Sequence, residues 1–383
     1  MRTTLKLSAA AIAITAASAA QAQFYLLGPS DLPSSVTNAG LVAGYDDTGY
    51  FTWSVANGRT SIPGAIPGNG TGGIPRITEN GQKLGATNTN PNTGLTEIAS
   101  YDTASGTWTT YGGLGANSDS SVSGGFGMNA DGSVQVGNAW INGGTAHAIV
   151  VRDGVLTDLG SNVAGASSRA DAVSNDGHLI GGYQDQEDGY RAAAVWIDGV
   201  EQVLTLGGNP LQQVNAVSGD GQWAVGGGGY YGNGSAYMWN PITGVKLLDN
   251  PFFDAGYELT ATSVSFDGSV VIGYGQDLFF QRMGWIWTEA TGTMTMESYA
   301  SQFDGYSGEF LFGPLAVSQD GRNITGYGVN ADWSGYTGWM ISVPVPEPST
   351  WALWLAGCAV LGGLARRKPG KDAVLRETPH PAG

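Results

Sequence analysis

The stretch AVSGDGQWAVGG at 216–227 decides the fold. An apolar pair leads into Ser218, one free position, Asp220 and Gly221, and then into a short apolar run ending in glycine. Asp-Gly between two apolar runs is a tight-hairpin signal, because glycine accepts the positive φ that the turn requires. The phrase is not alone. It recurs as AVSNDGHLIGGY at 172–183, SVSFDGSVVIGY at 263–274, AVSQDGRNITGY at 316–327 and GMNADGSVQVGN at 127–138. Weaker copies are VTNAGLVAGY at 36–45 and ITENGQKLGAT at 77–87. The turn glycines are therefore Gly40, Gly81, Gly132, Gly177, Gly221, Gly268 and Gly321, separated by 41, 51, 45, 44, 47 and 53 residues.

A further strand follows each turn. Trp196, Trp239, Trp287 and Trp339 lie 18 or 19 residues beyond their anchors; Tyr101 and Val151 hold that place in the second and third copies, and Trp53 lies closer in the first. AAAVWIDG at 192–199 and SAYMWNPITG at 235–244 read as third strands closing in another turn, VEQVLTLGG at 200–208 and VKLLD at 245–249 as fourth strands. Four short strands every 40 to 53 residues predict an all-β protein, a β-propeller of seven four-stranded blades over residues 23–343. Six or eight blades are the alternative counts, since the first two units depart from the pattern. A solenoid is the alternative architecture, although its coils are usually shorter. The last unit lacks a fourth strand, and FYLLG at 24–28 resembles the missing one. Pairing the two would close the ring and remove exposed sheet edges.

Composition agrees with a folded β-rich body. The 383 residues include 62 Gly and 28 Trp plus Tyr, which argues against a disordered polar chain. Residues 1–22 read as a signal peptide: Arg2 and Lys6, an apolar run at 7–17, and Ala20-Gln21-Ala22 as the small-residue site for a signal peptidase. Between this leader and Ala365 stand nine basic and 30 acidic residues, a net charge of −21. Such a surface repels phosphate backbones, so no nucleic-acid partner is expected, whereas divalent cations would gather on it. Cys358 is the single cysteine, so packing and backbone pairing must hold the fold without an internal disulfide.

VPEPSTWALWLAGCAVLGGLARRKPG at 345–370 raises a different question. Residues 351–365 are uncharged and as a helix would span about 22 Å, short of the ~30 Å hydrocarbon core. Trp351 and Trp354 suit one interface, while Arg366, Arg367 and Lys368 can snorkel to the other. A single C-terminal transmembrane helix is expected, with the basic cluster and a tail at 371–383 cytoplasmic and the body outside. Pro346, Glu347 and Pro348 hold the preceding junction extended, as a protease cleft requires.

Two resemblances follow from these residues. The repeats at 132–343 resemble the HAF-type extracellular repeat of exported bacterial proteins, which has no established activity. The segment 344–370 resembles a PEP-CTERM sorting signal: a Pro-Glu-Pro junction, an apolar helix and an Arg-rich end, in that order. The resemblance implies that an exosortase, a membrane protease-transpeptidase, recognises the three parts and processes the chain near Pro346-Glu347-Pro348. It also implies a Gram-negative source that makes exopolysaccharide. The precursor would be anchored in the inner membrane with a periplasmic body, reaching the cell surface or the extracellular space after processing. The tail at 369–383 is longer than usual for that family.

Catalytic groupings are scarce. His147, His178 and His380 are the histidines, and no HExxH, Cys-His set or Walker loop occurs. Asp131, Asp176, Asp220, Asp267 and Asp320 recur at the turns and read as turn formers, because they lack the alternating spacing of a calcium loop. DQEDG at 185–189 is the better calcium candidate, through Asp185, Glu187 and Asp188, with a solvated acidic loop as the competing reading. Tyr230 and Tyr231 could stack on sugars or fill a blade core. The expectation is a noncatalytic surface or matrix protein without a cofactor, associated with exopolysaccharide or surface proteins in a biofilm. The alternative is a secreted propeller glycoside hydrolase or lyase, since two carboxylates suffice for glycoside hydrolysis.

Overall fold

Seven four-stranded antiparallel blades follow one another along the chain, and a single Gly227–Thr260 bridge joins the sheets of blades 5 and 6. The computed structural model describes residues 22–63, 73–117, 121–142, 144–229 and 232–343. Residues 1–21 of the leader and the expected helix at 351–365 lie outside the described residues. Blade 1 comprises Leu32–Val36, Val42–Asp46, Gly49–Ser54 and Gly58–Ser61, and blade 2 Arg76–Ile77, Lys83–Thr89, Thr96–Asp102 and Thr107–Thr110. Blade 3 is Ser123–Met128, Val134–Asn142, Thr145–Arg152 and Val155–Gly160; blade 4 is Ser168–Val173, Leu179–Asp185, Arg191–Ile197 and Val200–Val203. Blade 5 is Val214–Val217, Ala224–Gly227, Ala236–Asn240 and Gly244–Leu247, and blade 6 Glu258–Val264, Val270–Gln276, Arg282–Thr288 and Gly292–Thr295. Phe310–Val317, Asn323–Val329 and Tyr336–Ser342 form three strands of blade 7.

The fourth strand of blade 7 comes from the other end of the body. Gln23–Pro29 pairs antiparallel with Tyr336–Ser342, in the register Phe24 to Ile341 and Leu26 to Trp339. The ring is thus closed and the last edge is paired. Phe24 is buried, with its ring centroid 5.4 Å from that of Tyr306 and 6.3 Å from that of Trp339. An insertion explains the longest repeat spacing. After blade 6 come a short helix, Met296–Ala300, and a loop whose Asp304 carbonyl accepts from the Phe24 N–H at 2.8 Å. The insertion therefore clips the closing strand into place.

First strands of successive blades pack on one another, so they line the axis. Hydrophobic clusters fill the spaces between neighbouring blades. Val134, Val150, Val173, Ile180 and Trp196 join blades 3 and 4, and Val225, Met238, Leu259, Val271 and Trp285 join blades 5 and 6. The register corrects one sequence expectation. Trp196, Trp239 and Trp287 face Ile180, Ala224 and Val271, but Trp339 faces Gly326 and so matches Trp285, which faces Gly273. A second correction concerns VEQVLTLGG. Only Val200–Val203 belongs to blade 4, while Thr205–Leu206 pairs with Asn209–Pro210 in a separate small hairpin.

The repeated turn is a hydrogen-bonded device. In blade 5 the Ser218 hydroxyl donates to Asp220 Oδ1 at 2.5 Å and accepts from the Trp223 N–H at 2.9 Å. Asp220 Oδ1 also accepts from the Gln222 N–H at 3.0 Å. Gly221 donates its N–H to the Ser218 carbonyl with φ at 70°, in the left-handed region that disfavours a side chain. Ser174, Ser265 and Ser318 repeat this, and Asn129, Thr78 and Thr37 supply the same acceptor in blades 3, 2 and 1. The blade 1 turn is one residue shorter after its glycine, and Ala39 stands where blades 3 to 7 carry the aspartate. The turn aspartates thus act as turn formers. Hydrogen bonds from Ser133, Ser174 and Ser269 hold Asp131, Asp176 and Asp267 below the usual carboxylate range.

Three substitutions test these assignments by chemical denaturation. Ser218→Ala removes an acceptor used by a strand N–H and should cost about 1–2 kcal/mol. Asp220→Asn keeps an acceptor and should cost less than about 0.5 kcal/mol; loss of a calcium-dependent rise in Tm in that variant would make Asp220 a ligand instead. Phe24→Ala should cost about 3–5 kcal/mol, as for other buried aromatics, because it unseats the strand that closes the ring.

Candidate functional site

One more regularity is visible only in the pairing. Three residues before the turn Ser, Thr or Asn, the first strand slips register against the second. The slip falls between Pro33 and Ser35, Gly125 and Gly127, Ala170 and Ala172, Val214 and Ala216, Ala261 and Ser263, and Pro314 and Ala316. Each slip is a β-bulge, and a bulge re-aims the extra side chain. The extra residues are Ser34, Phe126, Asp171, Asn215, Thr262 and Leu315, with Pro75 at the corresponding place in blade 2. Ser34, Asp171, Asn215, Thr262 and Leu315 line an axial cavity of about 200 Å³, together with Tyr45, Ile74, Arg76, Arg169, Gln213 and Tyr274.

Ser34, Arg76, Asp171, Asn215 and Thr262 are each tied to a neighbouring blade. Ser34 Oγ donates to the Pro75 carbonyl at 2.8 Å, Asn215 Nδ2 to the Ala261 carbonyl at 2.8 Å, and Thr262 Oγ1 to the Pro314 carbonyl at 2.7 Å. Arg76 donates to the Ser34 carbonyl through Nη1 and to the Phe126 carbonyl through Nε, the latter at 3.2 Å. Asp171 accepts from Arg169 Nε at 2.7 Å and from Gln213 Nε2 at 2.9 Å. Burial pushes its carboxyl above the ordinary 3.8, against the pull of Arg169, Arg191 and Arg76. Among the described lining residues, Asp171 is the single carboxylate.

Among the described residues, side chains close one end of the cavity. At the turn end, the residues between Ser and Asp in blades 4 to 7, Asn175, Gly219, Phe266 and Gln319, border the axis. Asn175 and Gln319 exchange two hydrogen bonds across it, at 2.8 and 3.0 Å, from blades 4 and 7. Gly219 lies against this pair, where a Cβ would stand 2.5 Å from the Phe266 ring and 2.7 Å from Gln319 Oε1. A smaller chamber of about 120 Å³ lies above this plug and shares Arg76, Asp171, Asn215 and Thr262 with the first. The opposite end is the mouth. Phrase-final tyrosines stand there with arginines on their faces: Arg169 and Arg191 over Tyr183 at 4.9 and 4.1 Å, and Arg282 over Tyr274 at 4.6 Å. Gln23 and Ser342 pair with each other beside the turn end, opposite the mouth.

Loops between second and third strands surround the mouth. In blade 6, Leu278, Phe279 and Phe280 are 89%, 82% and 80% exposed, and in blade 7 Trp333 is 66% exposed. Phe280 and Trp333 take φ of 62° and 60°, a left-handed conformation costing an aromatic residue on the order of 1 kcal/mol. Asp277 Oδ1 holds the first loop by accepting from the Phe279 and Gln281 N–H groups, at 2.9 and 2.8 Å.

The residues singled out from the sequence are placed elsewhere. Asp185 faces Arg191 at 3.7 Å, Asp188 Oδ1 accepts from the Tyr190 N–H at 3.0 Å, and Glu187 is exposed. Among the described residues, no three His, Cys, Asp or Glu side chains converge as metal ligands. His147 pairs with Asp158 at 3.0 Å and His178 with Asp198 at 2.5 Å, both away from the axial cavity. Ala20, Tyr230, Tyr231, Pro346, Glu347, Pro348, Arg366, Arg367 and His380 lie outside the described residues; Ala22 is described and precedes the closing strand. The cavity residues were missed because no motif marks them. Their signal is a position of changing chemistry three residues before a constant Ser, Thr or Asn.

The fold and site define a seven-bladed β-propeller with a polar axial cavity. Residues 344–368 match the PEP-CTERM protein-sorting motif, which implies export, an exosortase as processing partner and a membrane-anchored precursor destined for the cell surface. No curated protein matches the chain. Among solved structures it is similar to the β-propeller domain of the Trilobed protease from Pyrococcus furiosus, at 12% identity and a TM-score of 0.50, over 86% of this chain and 99% of that one. That domain is described as having an open velcro topology, whereas here Gln23–Pro29 closes the last blade. A prolyl endopeptidase structure matches 85% of this chain and 50% of its own, at 12% identity and a TM-score of 0.51. TolB from Acinetobacter baumannii matches 71% of this chain and 64% of its own, at 14% identity and a TM-score of 0.41. At these identities the likeness concerns the fold alone.

Asp171→Asn tests the electrostatics of the wall. Because the folded state raises this pKa, the wild type is penalised only as pH climbs through the folded value, and Asn carries no such penalty. The two proteins should melt alike near pH 3, within about 1 °C, and the Asn variant should gain steadily toward pH 7. A constant difference across that range would mean that Asp171 is not strained by burial.

Proposed function

We propose that this chain is an exported surface or extracellular-matrix protein that is sorted by an exosortase and holds exopolysaccharide without cleaving it. The observation that carries the binding reading is the cavity wall. Hydrolysing a glycoside calls for two carboxyl groups roughly 5–9.5 Å apart across the scissile bond. Asp171, the single carboxylate among the described lining residues, is already engaged by Arg169 and Gln213. What surrounds it suits recognition instead: amide and hydroxyl groups, phenol rings and guanidinium planes. The PEP-CTERM motif at 344–368 supports sorting, and the HAF-like phrases support an extracellular setting. Outward display of the body, with the cluster Arg366-Arg367-Lys368 cytoplasmic before processing, belongs to the same reading.

Sorting is tested by the mass of the mature protein. In a host with an exosortase, the chain should lose its tail near Pro346-Glu347-Pro348; in a host without the enzyme it should keep it. Replacing these three residues by Ala should leave a full-tailed chain in both. Identical masses for the unaltered chain in the two hosts would reduce the tail to a membrane tether. Incubation with the producer's own exopolysaccharide should show binding with no new reducing ends, and release of reducing ends would favour the hydrolase.

A further inference from the structure

Seven copies of one unit place seven different side chains at one position around the axis. The asymmetry has a pattern. Blades 4, 5 and 6 contribute Asp171, Asn215 and Thr262, a continuous polar arc. Across the axis, blade 2 contributes Arg76. Its guanidinium is held by two carbonyl oxygens, and no carboxylate lies within ion-pair distance of it among the described residues. Asp171 acts on it only through space, and a guanidinium without a direct ion pair is costly to desolvate unless an anion in contact completes its surroundings. The wider field points the same way. Of nine basic residues between the leader and Ala365, four converge here: Arg76, Arg169, Arg191 and Arg282. Asp171 and Asp185 offset part of this charge, and four of the nine basic residues of a body of net charge −21 still gather around the cavity and its mouth.

We propose that the axial cavity binds one carboxylated sugar unit of the uronic acid class at the end of a glycan chain. The carboxylate lies between Arg76 and Arg169. Hydroxyl groups meet Asp171, Gln213 and the Asn215–Thr262 arc, which together offer both donors and acceptors, and the ring packs against Tyr45 and Tyr274. Size and shape restrict the ligand to an end. The cavity of about 200 Å³ is smaller than the ~300–1,000 Å³ sites of drug-sized ligands. The Asn175–Gln319 pair shuts the far side, so a polymer cannot thread through. This deepens the glycan-holding reading and rests on it.

The test is titration calorimetry on the purified full-length chain with methyl glucuronide, methyl glucoside, acetate and inorganic phosphate. Methyl glucuronide should bind, and the other three should bind at least about tenfold more weakly, since each lacks either the charge or the hydroxyl pattern. Arg76→Met should weaken glucuronide binding at least about tenfold. Arg169→Gln should do the same and serves where Arg76→Met fails to melt cooperatively. Equal affinity for acetate or phosphate would show an adventitious anion site and overturn the proposal. So would glucuronide binding that is absent, or unchanged in two folded variants. If the chain holds acidic exopolysaccharide yet ignores methyl glucuronide, the cavity assignment fails while the surface reading stands.

Discussion

At one end of the axis, the turns of all seven blades are laced together, and the rest of the structure depends on that lacing. Asn38 N–H donates to Glu79 Oε2, Glu79 N–H to the Ala130 carbonyl, and Ala130 N–H to Asn175 Oδ1. Asn175 N–H then reaches the Gly219 carbonyl, Asp220 N–H the Phe266 carbonyl, and Phe266 N–H the Gln319 carbonyl. Asp320 N–H returns to Asn38 Oδ1 at 2.9 Å and completes the circle. Each bond is worth only about 1 kcal/mol, but together they hold seven thin sheets at one spacing. Asn323 Nδ2 strengthens the seam between last and first blades by donating to the Thr37 and Asn38 carbonyls at 3.0 and 2.9 Å.

Such a ring needs turns of one height, and the internal Ser-x-Asp-Gly bonds supply it. The hydroxyl at the first position takes the N–H that opens the second strand, and the aspartate takes the N–H before it. What varies is the residue between them, which in blades 4 to 7 borders the axis. Gly219 leaves room there for Phe266, Asn175 and Gln319 to close the channel. The plug is therefore a product of the same turns that make the ring.

The bulges divide labour differently. Regular pairing on both sides of each bulge keeps the blade core apolar, while the one unpaired residue is free to be Asp, Asn, Thr, Leu, Ser or Phe. A scaffold of near-identical units can thus carry an asymmetric cavity without disturbing its packing. The aromatic loops around the mouth follow the same economy of place: Phe280 and Trp333 are exposed and strained, yet neither lies in a blade core.

By itself the sequence determined the blade. Asp-Gly phrases at a steady interval dictate hairpins through local backbone chemistry, and the spacing dictates how many hairpins make a ring. The closing strand was legible too, because FYLLG at 24–28 completes a unit that otherwise lacks an edge partner. The processing signal at 344–368 is a linear pattern and needs no fold to be read. Tertiary structure alone decided the site. Arg76 and Asp171 stand 95 positions apart and carry no shared motif. A register slip of one residue turns Asp171 from a strand face to the axis, and ring closure brings blade 2 across from blades 4, 5 and 6. Pattern reading follows the alternation of a strand, so a residue that matters because it breaks the alternation is invisible until its partner strand is known.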